Sequence, residues 1–331
     1  MTVTLQPELS TQIHAYLQSA GWVGAQIDPL PGDASFRRYF RIRRGADNAM
    51  LMFAPPPNED PAPFLRAARW LDDSGLRAPR ILHERVEQGF VLLEDFGNVR
   101  MRDYLDDWPQ DEQEVYLGAV DALKALHHLL PGPFTAYSLA EYQRETQLFV
   151  DWFCPAQNLY VDGKGYSAAW QEVLTPLLGR QRPGVTVLRD YHAENIMLLG
   201  GLREQGLLDF QDALIGHPAY DLVSLLQDAR RDVSPELEAG MVEYYLAGHD
   251  DPAAFVADYA RLGAQRNAKI VGIFVRLWKR DGKPRYLDLI PRVWGLLERD
   301  LAHPALAPVA RWFDANIPDA LRQSGGGTFA G

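Results

Sequence analysis

The 331-residue chain is 47% hydrophobic, enough for two compact units of ordinary size around substantial cores. Its 33 Lys and Arg are outnumbered by 44 Asp and Glu, and the net charge of −11 disfavours nonspecific nucleic-acid binding. No apolar run is long enough to span a bilayer, the first residues lack the features of a secretory signal, and the single Cys154 cannot form an intramolecular disulfide, so a cytoplasmic location is expected.

Residues 8–20 read as the first helix, with Ile13, Tyr16 and Leu17 at helical spacing and Gly21 as its stop. Segment 30–42 reads as a strand–turn–strand entry. Its alternation places Arg38 on one face with Phe36, Phe40 and Ile42, and Arg37, Arg41 and Arg43 on the other. A strand over 49–53 is halted by Pro55, Pro56 and Pro57. The helix expected over 63–74 has only Arg66 and Arg69 as charged residues before Asp72. Strands at 81–82 and 90–93 flank a turn at 87–89, and Glu94, Asp95, Phe96 and Gly97 follow. A long helix over 111–130 carries Val115, Leu126 and Leu129. Its His127 and His128 read as packing or surface residues, because no cysteine or second histidine cluster accompanies them. The helix expected over 141–153 has Leu148, Phe149 and Trp152 on one apolar face.

The most informative stretch is 188–212, LRDYHAENIMLLGGLREQGLLDFQD. Asp190 is followed five positions later by Asn195, and Asp209 precedes Phe210 and Gln211. Two apolar strands around Gly200 and Gly201 would close a hairpin that brings Asn195 and Asp209 together at its open end. An Asp, four intervening residues, an Asn and a second Asp after a short hairpin suit phosphoryl transfer. The first Asp accepts the acceptor's hydroxyl hydrogen bond, while the Asn and second Asp offer oxygen ligands to Mg²⁺.

At these residues the chain resembles the aminoglycoside phosphotransferase family, small-molecule relatives of the protein kinases. The family pattern, roughly H-G-D-x-H-x-x-N-I-L, I-D-F and G-x-P-x-x-D-L, is matched by residues 188–197, 208–210 and 216–222. Leu188 stands where the family has its first His. The resemblance implies an α+β, two-lobed kinase-like fold, with a small antiparallel-sheet lobe over 1–95 and a larger helical lobe over 96–322; the Gly-rich composition of 323–331 marks a flexible tail. It implies ATP and Mg²⁺, with Asp190 as catalytic base, Asn195 and Asp209 on the metal, and His192 and Asp221 as loop supports. Ser35, Arg38, Glu94 and Phe96 are the expected nucleotide contacts. The lysine and glutamate that kinases pair in the small lobe are both missing, and Met52 sits near the lysine's expected position. Arg38 is the candidate replacement, and a structural or solvated arginine fits as well.

In the large lobe Trp152 could stack on a sugar and Glu145 could accept its hydroxyls, although a core aromatic and a surface acid fit too. Residues 266–292 carry Arg266, Lys269, Arg276, Lys279, Arg280, Lys283, Arg285 and Arg292 against Asp281 and Asp288. That pattern suits a solvated helix face or an anion-accepting rim, with Arg280 as a substrate candidate. Segments 35–42, 92–97 and 272–287 narrow the resemblance to the anomeric kinases of cell-wall sugar recycling. Those enzymes phosphorylate N-acetylmuramate and N-acetylglucosamine, so a small amino sugar is the expected partner. Two rivals remain open at this point: a kinase for an aminoglycoside or amino alcohol, and a noncatalytic nucleotide-binding regulator that lacks the lysine.

Overall fold

The computed structural model describes residues 7–31 and 36–329. They divide into two compact units, one running to Tyr104 and taking in Asn195–Asp212, the other comprising Leu105–Glu194 and everything from Ala213 on. The hairpin 195–212, expected in the large C-terminal lobe, thus belongs with the N-terminal unit. Its backbone finds partners there: Leu198 N donates to Val99 O at 2.8 Å and Leu207 N to Arg77 O at 2.7 Å.

The first unit is built on helix α1 (Pro7–Ser19) and strands β1 (Gln26–Pro29), β2 (Arg38–Arg44) and β3 (Asp47–Phe53). Helix α2 (Ala62–Asp73) and strands β4 (Ile81–Arg85) and β5 (Phe90–Glu94) follow. The sheet order is β1-β2-β3-β5-β4, antiparallel throughout. Leu9, Ile13, Tyr16 and Leu17 recur at the helical period, so α1 buries one stripe against Phe40, Ile42, Leu51, Phe90 and Leu92. Tyr16 anchors that contact, since its hydroxyl donates to His83 O and accepts from Leu92 N. Phe36, expected on the same face as Phe40, is exposed in a bend before β2, so the alternation begins only at Arg38. Helix α3 (Met101–Asp107) leads out of this unit.

The second unit is mainly helical. Helices α4 (Glu112–His128) and α5 (Leu139–Leu148) are followed by the π-turn Phe149–Phe153, the short α6 (Cys154–Ala156) and α7 (Gly163–Arg180). Strand β6 (Val185–Val187) precedes the hairpin β7 (Ile196–Leu198) and β8 (Gln205–Leu207), and pairs antiparallel with β9 (Leu214–Gly216). Helices α8 (Ala219–Leu226), α9 (Pro235–Leu246), α10 (Pro252–Asp281), α11 (Ile290–Leu301), α12 (Ala307–Asn316) and α13 (Asp319–Gln323) complete it. Phe149, Phe153, Trp294 and Phe313 form an aromatic core beside α10. At Gly272 the helix passes so close to α5 that an added Cβ would lie 2.3 Å from the Leu148 carbonyl carbon. The Gly-rich segment expected as a flexible tail packs as far as Phe329: Gln157 Nε2 donates to Gly326 O at 2.9 Å, and the Phe329 ring meets Phe153 and Trp278. Among the described residues no helix is long and apolar enough to cross a membrane.

Candidate active site

In the second unit, β6 delivers the chain into the Asp190 loop. Asp221, buried on α8, accepts hydrogen bonds from the Leu188 and Arg189 amides at 2.6 and 2.8 Å. Burial pushes its carboxyl up to about 7 despite those two donors. Ser224 Oγ donates to Arg189 O at 3.0 Å. Together these bonds hold Arg189 at φ 73, a conformation that costs an L-residue about 1–3 kcal/mol and persists only where its surroundings impose it. His192, itself buried, donates its amide to Asp190 O, and burial lowers its imidazole pKa. Burial pushes the Asp190 carboxyl upward, but the charges of Lys269, Arg266 and Arg189 outweigh it and hold the group below the ordinary carboxylate value. Asp190 is therefore an anion at neutral pH, suited to accept a hydroxyl hydrogen bond.

Next to it lies an ion cluster. Glu145, expected as an exposed acceptor for sugar hydroxyls, is only 1% exposed. It pairs with Arg189 and with Lys269 at 3.0 Å, and accepts from Tyr137 and from Gln265 at 3.1 Å. A carboxylate at this depth survives as an ion only because two cations and two neutral donors surround it. Lys269 also lies 3.1 Å from the Tyr220 hydroxyl. Nothing in the sequence marks its role at this cluster, where it is one of eight basic residues on a long segment. Trp152 is half-buried within the π-turn, whereas Phe149 and Phe153 are the residues that enter the aromatic core. Arg280 is exposed at the far end of α10 and is held by its neighbour Asp281 at 2.7 Å. The structure gives neither a place in the Glu145–Lys269 cluster.

In the first unit, the β7–β8 hairpin brings Asn195 and Asp209 together, with Asn195 Nδ2 donating to Asp209 Oδ2 at 3.3 Å. Leu208 N to Asn195 O, 2.9 Å, closes the open end. Asp209 takes the left-handed φ of 58, and Gln211 Nε2 donates to its Oδ1 at 2.7 Å. Phe210 stacks on Phe64 of α2 at 5.1 Å, so the backbone after Asp209 is pinned by a buried ring. A small hard cation fits this pair: both side chains carry oxygen donors, and rotating the Asn195 amide would turn its oxygen toward Asp209's neighbourhood. No cluster of three His, Cys, Asp or Glu able to hold a metal occurs among the described residues, so further ligands would come from phosphate and water.

The β2 face near Asp209 is not the one that carries Arg38. The half-buried Tyr39 hydroxyl lies in the field of Asp209 and 3.5 Å from the Met52 sulfur, at the position where the lysine is missing. Strand alternation puts Arg38 on the Phe40 and Ile42 side, and its side chain is exposed. Arg37, just ahead of the strand, pairs with Glu59 at 3.2 Å and interacts with Tyr39; Arg41 pairs with Asp95 at 2.6 Å. Arg37, not Arg38, is thus the arginine beside Tyr39. Ser35 lies outside the described residues. Glu94 is engaged by Arg77 and Arg80, and its amide by Arg80 O, so its side chain braces the strand end. Phe96 packs against Gly206, where an added Cβ would come within 2.5 Å of the ring, and the Arg77 guanidinium lies over the ring, 5.1 Å from its centroid.

The model of the phosphotransferase enzyme family (APH) matches residues 26–262. The chain is 35% identical to the N-acetylmuramate/N-acetylglucosamine kinase of Caulobacter vibrioides, over 97% of this chain and all of that protein. It is 40% identical to the Pseudomonas aeruginosa protein of the same name, over 89% of each. Among solved structures, a choline/ethanolamine kinase family protein from Mesorhizobium loti superposes with a TM-score of 0.61 over 92% of this chain and 99% of that one. At 16% identity this likeness concerns the fold, which is kinase-like.

Proposed function

The chain belongs to the phosphotransferase enzyme family, and on that premise we propose that it transfers the γ-phosphoryl group of ATP to the anomeric hydroxyl of N-acetylmuramate and N-acetylglucosamine. The product is a sugar 1-phosphate, formed in the cytoplasm as cell-wall sugars are reused. Relatives named for these two sugars and alignable over most of their length support the acceptor. The observation that carries the chemistry is Asp190, an anionic, half-buried carboxylate on a loop whose backbone is clamped by Asp221 and Ser224.

A carboxylate so placed accepts the hydrogen bond of the acceptor hydroxyl and takes its proton as the new P–O bond forms. Phosphoryl transfer passes through a loose transition state that needs little covalent help, so fixed position and fixed charge supply most of the acceleration. The cations beside Asp190 favour its charged form, and the clamp keeps its backbone from drifting. Asn195 and Asp209 would hold Mg²⁺, which when bound supplies charge neutralisation between the β- and γ-phosphates. Arg37, held beside Tyr39 by Glu59, is the chain's candidate cation for the phosphates.

ATP consumption against a panel of sugars, choline and aminoglycosides tests the proposal. Turnover with the two amino sugars and not with the amines is expected. Turnover only with the amines would overturn the acceptor, and ATP binding without turnover on any acceptor would favour the regulator instead.

A further inference from the structure

Between Leu262 and Leu277 of α10, every residue is buried except Lys269, Ile273 and Arg276. Their i, i+4, i+7 spacing puts them in one stripe, the part of this helix that its neighbours leave open. One end of the stripe is Lys269, beside Asp190. Arg276 lies two turns on, a rise of about 10 Å at 1.5 Å per residue. The close passage of Gly272 against Leu148 fixes the helix, so the stripe cannot roll away.

Arg276 is chemically the odd member of its group. It sits in the fields of Arg280, Asp281 and Arg144, and both of those arginines have their own carboxylate, Asp281 and Glu141. Arg276 has no ion pair among the described residues, and its buried Nε has no hydrogen-bond partner. A guanidinium whose Nε is buried without a partner, beside two further arginines, gains when an anion reaches it, and its planar fork matches a carboxylate.

We propose that Arg276 is a specificity-determining contact of the acceptor site, receiving the carboxylate of a sugar whose anomeric hydroxyl is at Asp190, with Lys269 and Ile273 lining the space between. The inference rests on the amino-sugar kinase function proposed above. Of the two sugars, N-acetylmuramate bears a carboxylate on an ether substituent where N-acetylglucosamine has a hydroxyl. The open stripe then discriminates acceptors by charge at a point remote from the reacting hydroxyl.

Steady-state kinetics of wild type, Arg276→Gln and Arg276→Lys with both sugars test it. Loss of a charge-assisted hydrogen bond should lower kcat/KM for N-acetylmuramate roughly 10–100-fold in Arg276→Gln, chiefly through KM, while N-acetylglucosamine changes by less than about threefold. Arg276→Lys should recover part of the loss. Turnover of N-acetylglucosamine by the variants shows that they are folded. Equal losses for both sugars, no loss for either, or a wild type that uses only N-acetylglucosamine would each overturn the role of Arg276 and leave the kinase standing. A wild type that phosphorylates neither sugar would remove the proposed function, and this contact with it.

Discussion

Lys269 Nζ stands 3.0 Å from Glu145 Oε1 on one side and supplies the foremost charge that keeps Asp190 ionised on the other. One side chain thereby joins the buried ion cluster of the helical unit to its proposed base. Lys269→Met removes that charge, so the Asp190 carboxyl should rise. In the pH dependence of kcat/KM the acid limb then moves to higher pH, because Asp190 must be ionised to act. An acid limb left where the wild type has it would detach Lys269 from the base.

Asp209→Ala takes a carboxylate from the pair that would hold Mg²⁺. Mg²⁺-dependent binding of ATP should be lost, since a hard cation held by so few protein oxygens cannot spare one. Calorimetry with Mg²⁺–ATP reads this directly, and an unchanged affinity would return Asp209 to a structural role.

Arg37 and Arg38 are adjacent but diverge in surroundings: Arg37 is paired with Glu59 beside Tyr39, and Arg38 is exposed on the α1 side of the strand. Arg37→Ala should raise the KM for ATP roughly 10-fold, the worth of one charge-assisted contact, with Arg38→Ala close to wild type. The reverse order would restore Arg38 as the phosphate cation.

Glu145 offers a pH test of stability. Burial pushes its carboxyl up, but Lys269 and Arg189 dominate and bring it from 4.5 down to about 2. A depressed acid stabilises the fold above its unfolded pKa, and that contribution disappears as pH falls through the folded value. Its size is on the order of 3 kcal/mol. Glu145→Gln should therefore lower Tm at pH 7, and the difference from wild type should shrink as pH drops from 4.5 toward 2. Thermal melts showing a constant difference over that range would mean that the charge of Glu145 is not what stabilises the fold.

What was legible in the chain follows from how local each signal is. Ile13, Tyr16 and Leu17 mark their helix because its period is written within a few turns, and the glycine turn at Gly200 suffices to bring Asn195 to Asp209. Strand β1 carries no local mark because Gln26–Pro29 is short and mostly polar, ends in proline, and is a strand only by pairing with β2 at the sheet edge. The parity of Arg38 was readable, but which face of β2 feels Asp209 depends on a hairpin more than 150 residues away in sequence. Glu145 and Lys269 are separated by 124 positions, and nothing local distinguishes a buried ion pair from two solvated charges. Likewise the β7–β8 hairpin joins the first unit through backbone bonds to Val99 and Arg77, which no composition change announces.

Transfer to the anomeric hydroxyl with Asp190 as base makes a product whose phosphate position can be read. Phosphorus NMR of the product formed from ATP and N-acetylmuramate tests it most directly, run alongside Asp190→Asn. The expected result is a phosphate ester on the anomeric carbon, one ADP formed per ester, and turnover lowered roughly 10²–10⁴-fold in the variant with ATP binding retained. An ester on any other hydroxyl, ADP without a sugar phosphate, or a variant within about twofold of wild type would contradict it.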